Sequence, residues 1–357
     1  MLKAALRKTI LLCPGQGHFD VKSLKALSRF RKHKKINDML QVADDVLPTL
    51  KLSKYIRNPD LVESDLEVQQ MIQRTVVQQP LLILTSAISH EISKLVCRVD
   101  YVEKADMMIG HSLGEISGLV LQDAISLDKG LMLGYQRGKL MEQIISKNSG
   151  NDSFQHGKFG MYALIFQPKQ YGDVIECLKS VLANIANYNT YSQVVISGPK
   201  NLLEDQIAQV KSKIPRLRAV DLNVSVPFHN PVLGPIEKEL RIAFGKANVK
   251  TGRLSVPMIS DLDAEITATS EGQVDKVIKV TSRPVMFSKC LETLCGSSAK
   301  SGISYDFINY GTATHGLVKR FFRDLEKTGR GTQVPEYTNQ TISSLFEAPQ
   351  RRNVVVK

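Results

Sequence analysis

One serine sits between two glycines in Gly110-His111-Ser112-Leu113-Gly114. The short apolar run Asp106–Ile109 enters this pentapeptide. A stretch with helical spacing at Ile116, Leu119 and Val120 leaves it. Gly-x-Ser-x-Gly between a strand and a helix is the nucleophile elbow: the glycines relieve crowding in a sharp turn, and the hydroxyl is presented at the helix N-terminus. Free backbone N–H groups there can stabilise an oxyanion. The competing reading is a tight turn with a capping serine, and the strand–turn–helix context argues against it.

A serine at neutral pH needs a base. The chain has seven histidines: His18, His33, His90, His111, His156, His229 and His315. His33 lies in a basic cluster and His156 in a polar linker. His90 falls on a helix, and His315 follows a late turn. His111 adjoins the serine, and neighbours in a tight turn point apart. His229 stands between Pro227 and Pro231, on a loop stiff enough to hold a base. His18, in the first loop, remains a second candidate.

Pro14-Gly15-Gln16-Gly17-His18 is a second glycine turn after a strand. A dinucleotide fingerprint from Gly15 would need a third glycine where Asp20 stands, so a backbone N–H donor to the serine site is the better role. Leu133, Arg137, Leu140, Met141 and Ile144 share one helix face, and Arg137 interrupts that apolar stripe. Burying a guanidinium without an anion costs several kcal/mol, so a carboxylate or phosphate is implied. It is either an internal Asp or Glu, with a snorkelling side chain as a further option, or a substrate carboxylate held in bidentate fashion. Gly134 and Gly138 flank Arg137 and allow another element close.

These groups need a scaffold. Thr9–Leu12 reads as a buried strand stopped by Pro14-Gly15. A core helix is expected from Pro80, and Asp128 is placed as the N-cap of the helix that carries Arg137. Ser146–Lys158 reads as a linker. From Phe159 to Val224 the pattern is β-α-β-β-α-β, the ferredoxin-like split unit. The expected fold is α/β-hydrolase-like: a large domain with a parallel sheet over residues 1–152 and 224–357, and an inserted small domain over 153–223. The tail from Thr328 is expected to be peripheral.

The 357 residues carry 47 Lys and Arg against 35 Asp and Glu, a net charge of +12, which suits polyanionic partners. The Arg29–Lys35 cluster, RFRKHKK, reads as a solvated helix face or an anion-docking patch. Cys13, Cys97, Cys177, Cys290 and Cys295 are scattered without a CxxC pair, which argues against a disulfide framework or a zinc site. No apolar run is long enough to span a membrane. The first ten residues hold Lys3, Arg7 and Lys8 and no acid, a transit-peptide-like composition.

Together, PGQG at 14–17, GHSLGE at 110–115, QRGKLM at 136–141, ANYN and QVVISG within 186–198, and VPFHNPVL at 226–233 resemble the malonyl-CoA:acyl-carrier-protein transacylase family. The resemblance runs from about Ile10 to Arg320. PRLRAVDLNVSVPFHN and SRPVMF look similar to fungal mitochondrial members, which implies a mitochondrial-matrix location. The resemblance implies that Ser112 is acylated and that His229 is its base and later its acid. It implies an oxyanion hole from the backbone N–H groups of Gln16 and Leu113. Arg137 would grip the malonyl carboxylate, with Met141 and Asn189 near the substrate. It implies malonyl-CoA and acyl carrier protein as partners and no metal or other cofactor. No nucleic-acid partner and a monomer are expected. Three positions depart from the family pattern: Val280 stands where a Gln usually precedes the Pro-Val pair, His18 replaces a Ser, and the late turn reads Tyr310-Gly311-Thr312. A Val at 280 leaves open which residue orients His229, a backbone carbonyl being one candidate.

Two other classes compete. An α/β-hydrolase-type thioesterase would release the acyl group to water, with Asp205 or Asp221 as third member of a triad. A non-catalytic basic scaffold would use Arg29–Lys35, although aromatic residues are only 6% of the chain and no nucleic-acid module is visible.

Overall fold

The computed structural model describes residues 6–17, 21–148, 159–298, 302–328 and 334–347. His18, Asp20, His156 and most of the expected linker lie outside the described residues. The larger sheet is built from β1 (Arg7–Cys13), β2 (Met107–Gly110), β7 (Arg253–Ile259), β8 (Ile266–Thr269), β9 (Ser304–Asn309) and β10 (Tyr337–Thr341). Its order is β10-β9-β1-β2-β7-β8, with every neighbouring pair parallel except β7 and β8. Helices cover both faces, which is why β1 and β2 are apolar runs rather than alternating ones. Ile10, Leu11, Leu12 and Cys13 are all fully buried. The pairing sets Cys13 beside Gly110 and Leu12 beside Asn309. The Pro14–Gly17 loop, the serine turn and the Tyr310–Thr312 turn therefore leave the sheet at one end, where open α/β sheets form their crevices.

Several local expectations change. The core helix starts at Thr75 and runs to Val96 with Pro80 inside it. A proline usually sits at the first helical position, but here the polar turn before it is also helical. Those residues, Gln78 and Gln79, are buried against the Pro14–Gly17 loop. The Leu127–Asn148 helix packs across the Thr75–Val96 helix. A Cβ on Gly134 would lie 2.8 Å from Ile83 Cδ1, and one on Gly138 would lie 2.8 Å from Thr75 O. Asp128 sits inside the first turn and takes a hydrogen bond from Ser126 Oγ, rather than capping the helix. Within RFRKHKK, Arg29–His33 form a turn after helix Val21–Ser28, and only Lys34 and Lys35 belong to the next helix, Lys34–Val46. The tail contributes β10 to the sheet edge and packs Ile342 and Phe346 into the core. Polar side chains on an edge strand hide such a segment from a hydrophobic pattern. Arg7 and Lys8 belong to β1, and Arg7 forms a two-pronged pair with Asp306.

The second sheet is antiparallel, in the order β4-β5-β3-β6. It contains β3 (Phe159–Ile165), β4 (Ile185–Thr190), β5 (Gln193–Pro199) and β6 (Arg218–Asp221). Helices Tyr171–Ser180 and Lys200–Lys213 cover one face, burying Leu164, Val174, Leu178, Val194, Ile207 and Val210. β4 is tied to the rest of the chain by Tyr188 N to Val285 O at 2.8 Å and Val285 N to Ala186 O at 2.9 Å. Thr190 adds a hydrogen bond to the buried Asp324 carboxylate at 2.9 Å.

Candidate functional site

Ser112 holds φ +53, a left-handed conformation that costs a non-glycine residue about 1 kcal/mol or more. The surrounding glycines make that turn possible. A Cβ on Gly110 would lie 2.1 Å from Glu115 N, and one on Gly114 would lie 2.1 Å from Cys13 O. Both neighbours are backbone and cannot step aside. Gly114→Ala should therefore lower unfolding stability by more than about 2 kcal/mol. A denaturation midpoint equal to wild type would show that the elbow is looser than this packing indicates. Beyond Ser112, helix Gly114–Leu121 begins with Leu113 at its N-cap.

Ser112 opens on a cavity of about 420 Å³ whose walls include Gln16, His111, Arg137, Asn189 and His229. Among the described residues, no acceptor takes the backbone N–H of Gln16 or of Leu113. The Gln16 loop is held from behind by the N-terminal turn of the Thr75–Val96 helix. Gln78 Nε2 donates to Gly17 O at 2.7 Å, and Gln79 Nε2 donates to Gln16 Oε1 at 3.2 Å. These two glutamines were missed from sequence. Their only signal was polarity just before an apolar helix.

His229 is buried, with φ +56. Its Nδ1–H donates to Val280 O at 2.7 Å. Val280 ends the Ser270–Val280 helix, so its carbonyl is a last-turn acceptor without an intrahelical partner, and it takes Arg283 N–H at 3.3 Å as well as the imidazole. The bond assigns the proton to Nδ1 and leaves the Nε2 lone pair free. Burial, then the Arg137 charge, push the imidazole pKa down to about 3. The loop is pinned by Asn184 Nδ2 donating to His229 O at 3.2 Å and Asn230 Nδ2 donating to Ser197 O at 2.9 Å. Ser112 and His229 share the cavity with no hydrogen bond between them; such contacts often tighten only when substrate arrives.

Neither Asp205 nor Asp221 orients His229. Asp221 takes Lys200 Nζ at 3.0 Å and Asn223 N at 2.8 Å, and Asp205 is exposed on its helix. Among the described residues, the Ser-Asp-His arrangement of a hydrolase is therefore missing.

Arg137 is 3% exposed, and its Nη2 lies 3.5 Å from Ser112 Oγ. It forms no ion pair among the described residues, and its Nε has no partner. The internal Asp or Glu pair considered from sequence is absent. Burial lowers the guanidinium pKa to about 10 against the opposing pull of the buried Glu115 carboxyl, which leaves it cationic at neutral pH. Asn189 borders the cavity, but its Oδ1 pairs with His111 Nε2 at 3.0 Å. His111 thus turns toward the cavity wall rather than away from it. Met141 departs from expectation. It is wholly buried in the core, with Gln79 Nε2 at 3.5 Å from its sulfur, and does not border the cavity. Helical spacing sets it on the Arg137 face, yet only the longer arginine side chain, leaning toward the helix N-terminus, reaches the serine. His90 is a core residue bonded to Tyr310 Oη at 3.0 Å, and His33 is exposed. In the late turn, a Cβ on Gly311 would meet Pro14 Cβ at 2.7 Å, so the turn braces the first loop.

A strained serine at a helix N-terminus, a neutral buried imidazole and, among the described residues, two open N–H groups and a guanidinium without an ion pair can carry acyl transfer through an acyl-serine. The comparisons place the chain among acyl transferases. Residues 26–307 match the family model described as acyl transferase domain. The malonyl CoA-acyl carrier protein transacylase of Bacillus subtilis is 28% identical over 351 residues, covering 96% of this chain and 98% of the relative. The solved transacylase of Coxiella burnetii superposes with a TM-score of 0.76 at 20% identity, covering 98% of this chain and 99% of that one. A malonyl-transacylase solved in complex with its type II polyketide-synthase acyl-carrier protein superposes with a TM-score of 0.71 at 22% identity, over 97% of this chain and 100% of that one. Because the matched span covers most of the sequence and contains the serine, the arginine and the histidine, the chain belongs to the acyl transferase domain family.

Proposed function

We propose that this acyltransferase moves a malonyl group from malonyl-CoA to the phosphopantetheine thiol of acyl carrier protein, for fatty-acid synthesis. One observation carries the choice of acyl group: a buried guanidinium with no carboxylate partner, 3.5 Å from the serine hydroxyl. A malonyl ester on Ser112 would bring its free carboxylate to that charge. The names of the relatives support the same reading.

The chemistry is a ping-pong exchange. Ser112 gives its hydroxyl proton to His229 Nε2 while Oγ attacks the thioester carbon. The N–H groups of Gln16 and Leu113 receive the oxyanion. The C–S bond breaks, and the departing CoA thiolate takes the proton from His229. The carrier thiol then gives its proton to His229 and attacks the malonyl-serine ester; the C–O bond breaks, and Ser112 Oγ takes that proton back from His229. A second chamber of about 880 Å³ shares Gln16, Asn223 and Val224 with the serine cavity, which suits a long pantetheine arm. The positive net charge suits a polyphosphate donor and an acidic carrier.

The same reading makes residues 153–223 a small ferredoxin-like domain, supported by the β-α-β-β-α-β order and the β4-β5-β3-β6 sheet. It includes a monomeric enzyme in the mitochondrial matrix, the location supported by the resemblance of SRPVMF and its neighbours. The test of the function is mass spectrometry after mixing with malonyl-CoA. A malonyl adduct should persist on Ser112 and be discharged by holo-carrier thiol. Rapid hydrolysis without carrier would instead make the chain a thioesterase.

The pH dependence follows from His229. Unfolded histidine titrates at about 6.5 and the buried one at about 3, so the unfolded chain binds the extra proton between those values. The stability from this group is complete above pH ~6.5 and is lost as pH falls toward 3. For the same reason kcat/KM for serine acylation should show no acid limb near pH ~6.5. A limb with that midpoint would contradict a neutral, buried base.

A further inference from the structure

Two buried carboxyl groups lie under the serine turn, and the transfer chemistry uses neither. Asp261 follows β7, which runs parallel to β2 with Ile259 beside Ile109. Two residues past that pair, Asp261 comes level with the turn, and its Oδ2 accepts the backbone N–H of Ser112. The side chain is 0% exposed. Its own backbone is fixed at both groups: Asp261 N donates to Glu115 Oε1 at 2.9 Å, and Asp261 O takes Met286 N at 2.8 Å. Gln273 Nε2 donates to the same Glu115 oxygen at 2.8 Å. Asp261 Oδ1 and Glu115 Oε2 are buried with no hydrogen-bond partner.

An ion pair would be the ordinary reason to bury two acids, and among the described residues neither group has one; Glu115 meets the buried Arg137 charge only at longer range. What Asp261 does have is the one N–H at the residue whose left-handed backbone aims the hydroxyl. We propose that Asp261 is a positioning residue for Ser112: its side-chain oxygen takes the Ser112 N–H and, with Glu115 and Gln273 behind it, clamps the strained elbow to the end of β7. The role needs an acceptor at that point and not a charge. Burial and the Glu115 carboxyl push the Asp261 pKa up, and burial raises Glu115 to about 7, so the pair carries less than its full charge at neutral pH. A neutral acceptor also spares the neighbouring oxyanion site a facing negative charge. The inference rests on Ser112 as the acylated residue.

The experiment compares Asp261→Asn with Asp261→Leu, which are close in volume and differ in whether an acceptor remains. Stopped-flow acylation by malonyl-CoA and intact-mass detection of the adduct are the readouts. Wild type must first show the Ser112 adduct; its absence would sink the transferase reading and leave Asp261 aside. Given that adduct, Asp261→Asn should acylate within about threefold of wild type, because the amide oxygen accepts the same N–H. Asp261→Leu should lose about 30-fold or more in kcat with the donor KM within about twofold, since a misaimed nucleophile affects reaction and not binding. Equal acylation by the two variants would overturn the proposal. If the Asp261→Leu variant does not fold, Asp261→Asn still decides: a folded Asn variant slowed more than about 30-fold shows that the charge, and not the acceptor, is what the site needs.

Discussion

Ser112→Ala should leave a folded protein that forms no malonyl adduct and transfers malonyl at least about 10⁴-fold more slowly than wild type. The size of the loss comes from the absence of any substitute. Both half-reactions pass through the same Oγ, and the other polar groups of the cavity serve different ends: His111 is paired with Asn189 and His229 is held by Val280. The fold should survive, because the Ser112 hydroxyl makes only a long contact, 3.5 Å, to Arg137. The backbone N–H that anchors the turn is unchanged by the substitution. Circular dichroism and a thermal midpoint close to wild type, together with no adduct, are the expected pair of results. An adduct that forms on the alanine variant would place the acyl group on another residue and end the Ser112 assignment.

The second large effect is selective. Arg137→Ala should lower kcat/KM for malonyl transfer by about 10²–10³-fold and change acetyl transfer by less than about fivefold. Acetyl lacks the second carboxylate, so it loses no partner when the guanidinium goes. Stability should change little, because the guanidinium forms no ion pair among the described residues, so the desolvation cost recovered on its removal is set against the loss of its attraction to the buried Glu115 carboxyl. Arg137→Lys should fall between, keeping a point charge and losing the bidentate fork. Equal losses for malonyl and acetyl donors would refute the carboxylate clamp and return Arg137 to a structural role. Both predictions fail in different ways from the Asp261 test, which alters neither the hydroxyl nor the guanidinium.

The elbow was legible in sequence because its chemistry is local. Gly110 and Gly114 are required by contacts a few residues away or across one strand pairing, and Ser112 is fixed by the turn that they permit. The β-α-β-β-α-β stretch was legible for the same reason, since its alternation of periods is written along the chain. So was the stiffness of the His229 loop between Pro227 and Pro231. The boundaries that failed, at Pro80, at Asp128 and in the tail after Thr328, are places where tertiary packing overrode a local signal.

Side-chain type and spacing therefore determined that a serine in a glycine-flanked turn, a histidine on a rigid loop and a lone arginine exist. Tertiary structure alone decided how they are held. The partner of His229 is the carbonyl of Val280, and a carbonyl is the same group at every residue, so no letter in the sequence marks it. The acceptor for Ser112 N–H is Asp261, 149 positions away, brought there by the parallel pairing of β2 with β7. Met141 went to the core and Arg137 to the cavity from one helix face, because side-chain length and lean decide reach where spacing only decides direction. That no described acid forms an ion pair with Arg137, and only Glu115 acts on it from longer range, is a property of the assembled interior. Composition offers 35 acids, and only the packing keeps all of those described from pairing with it.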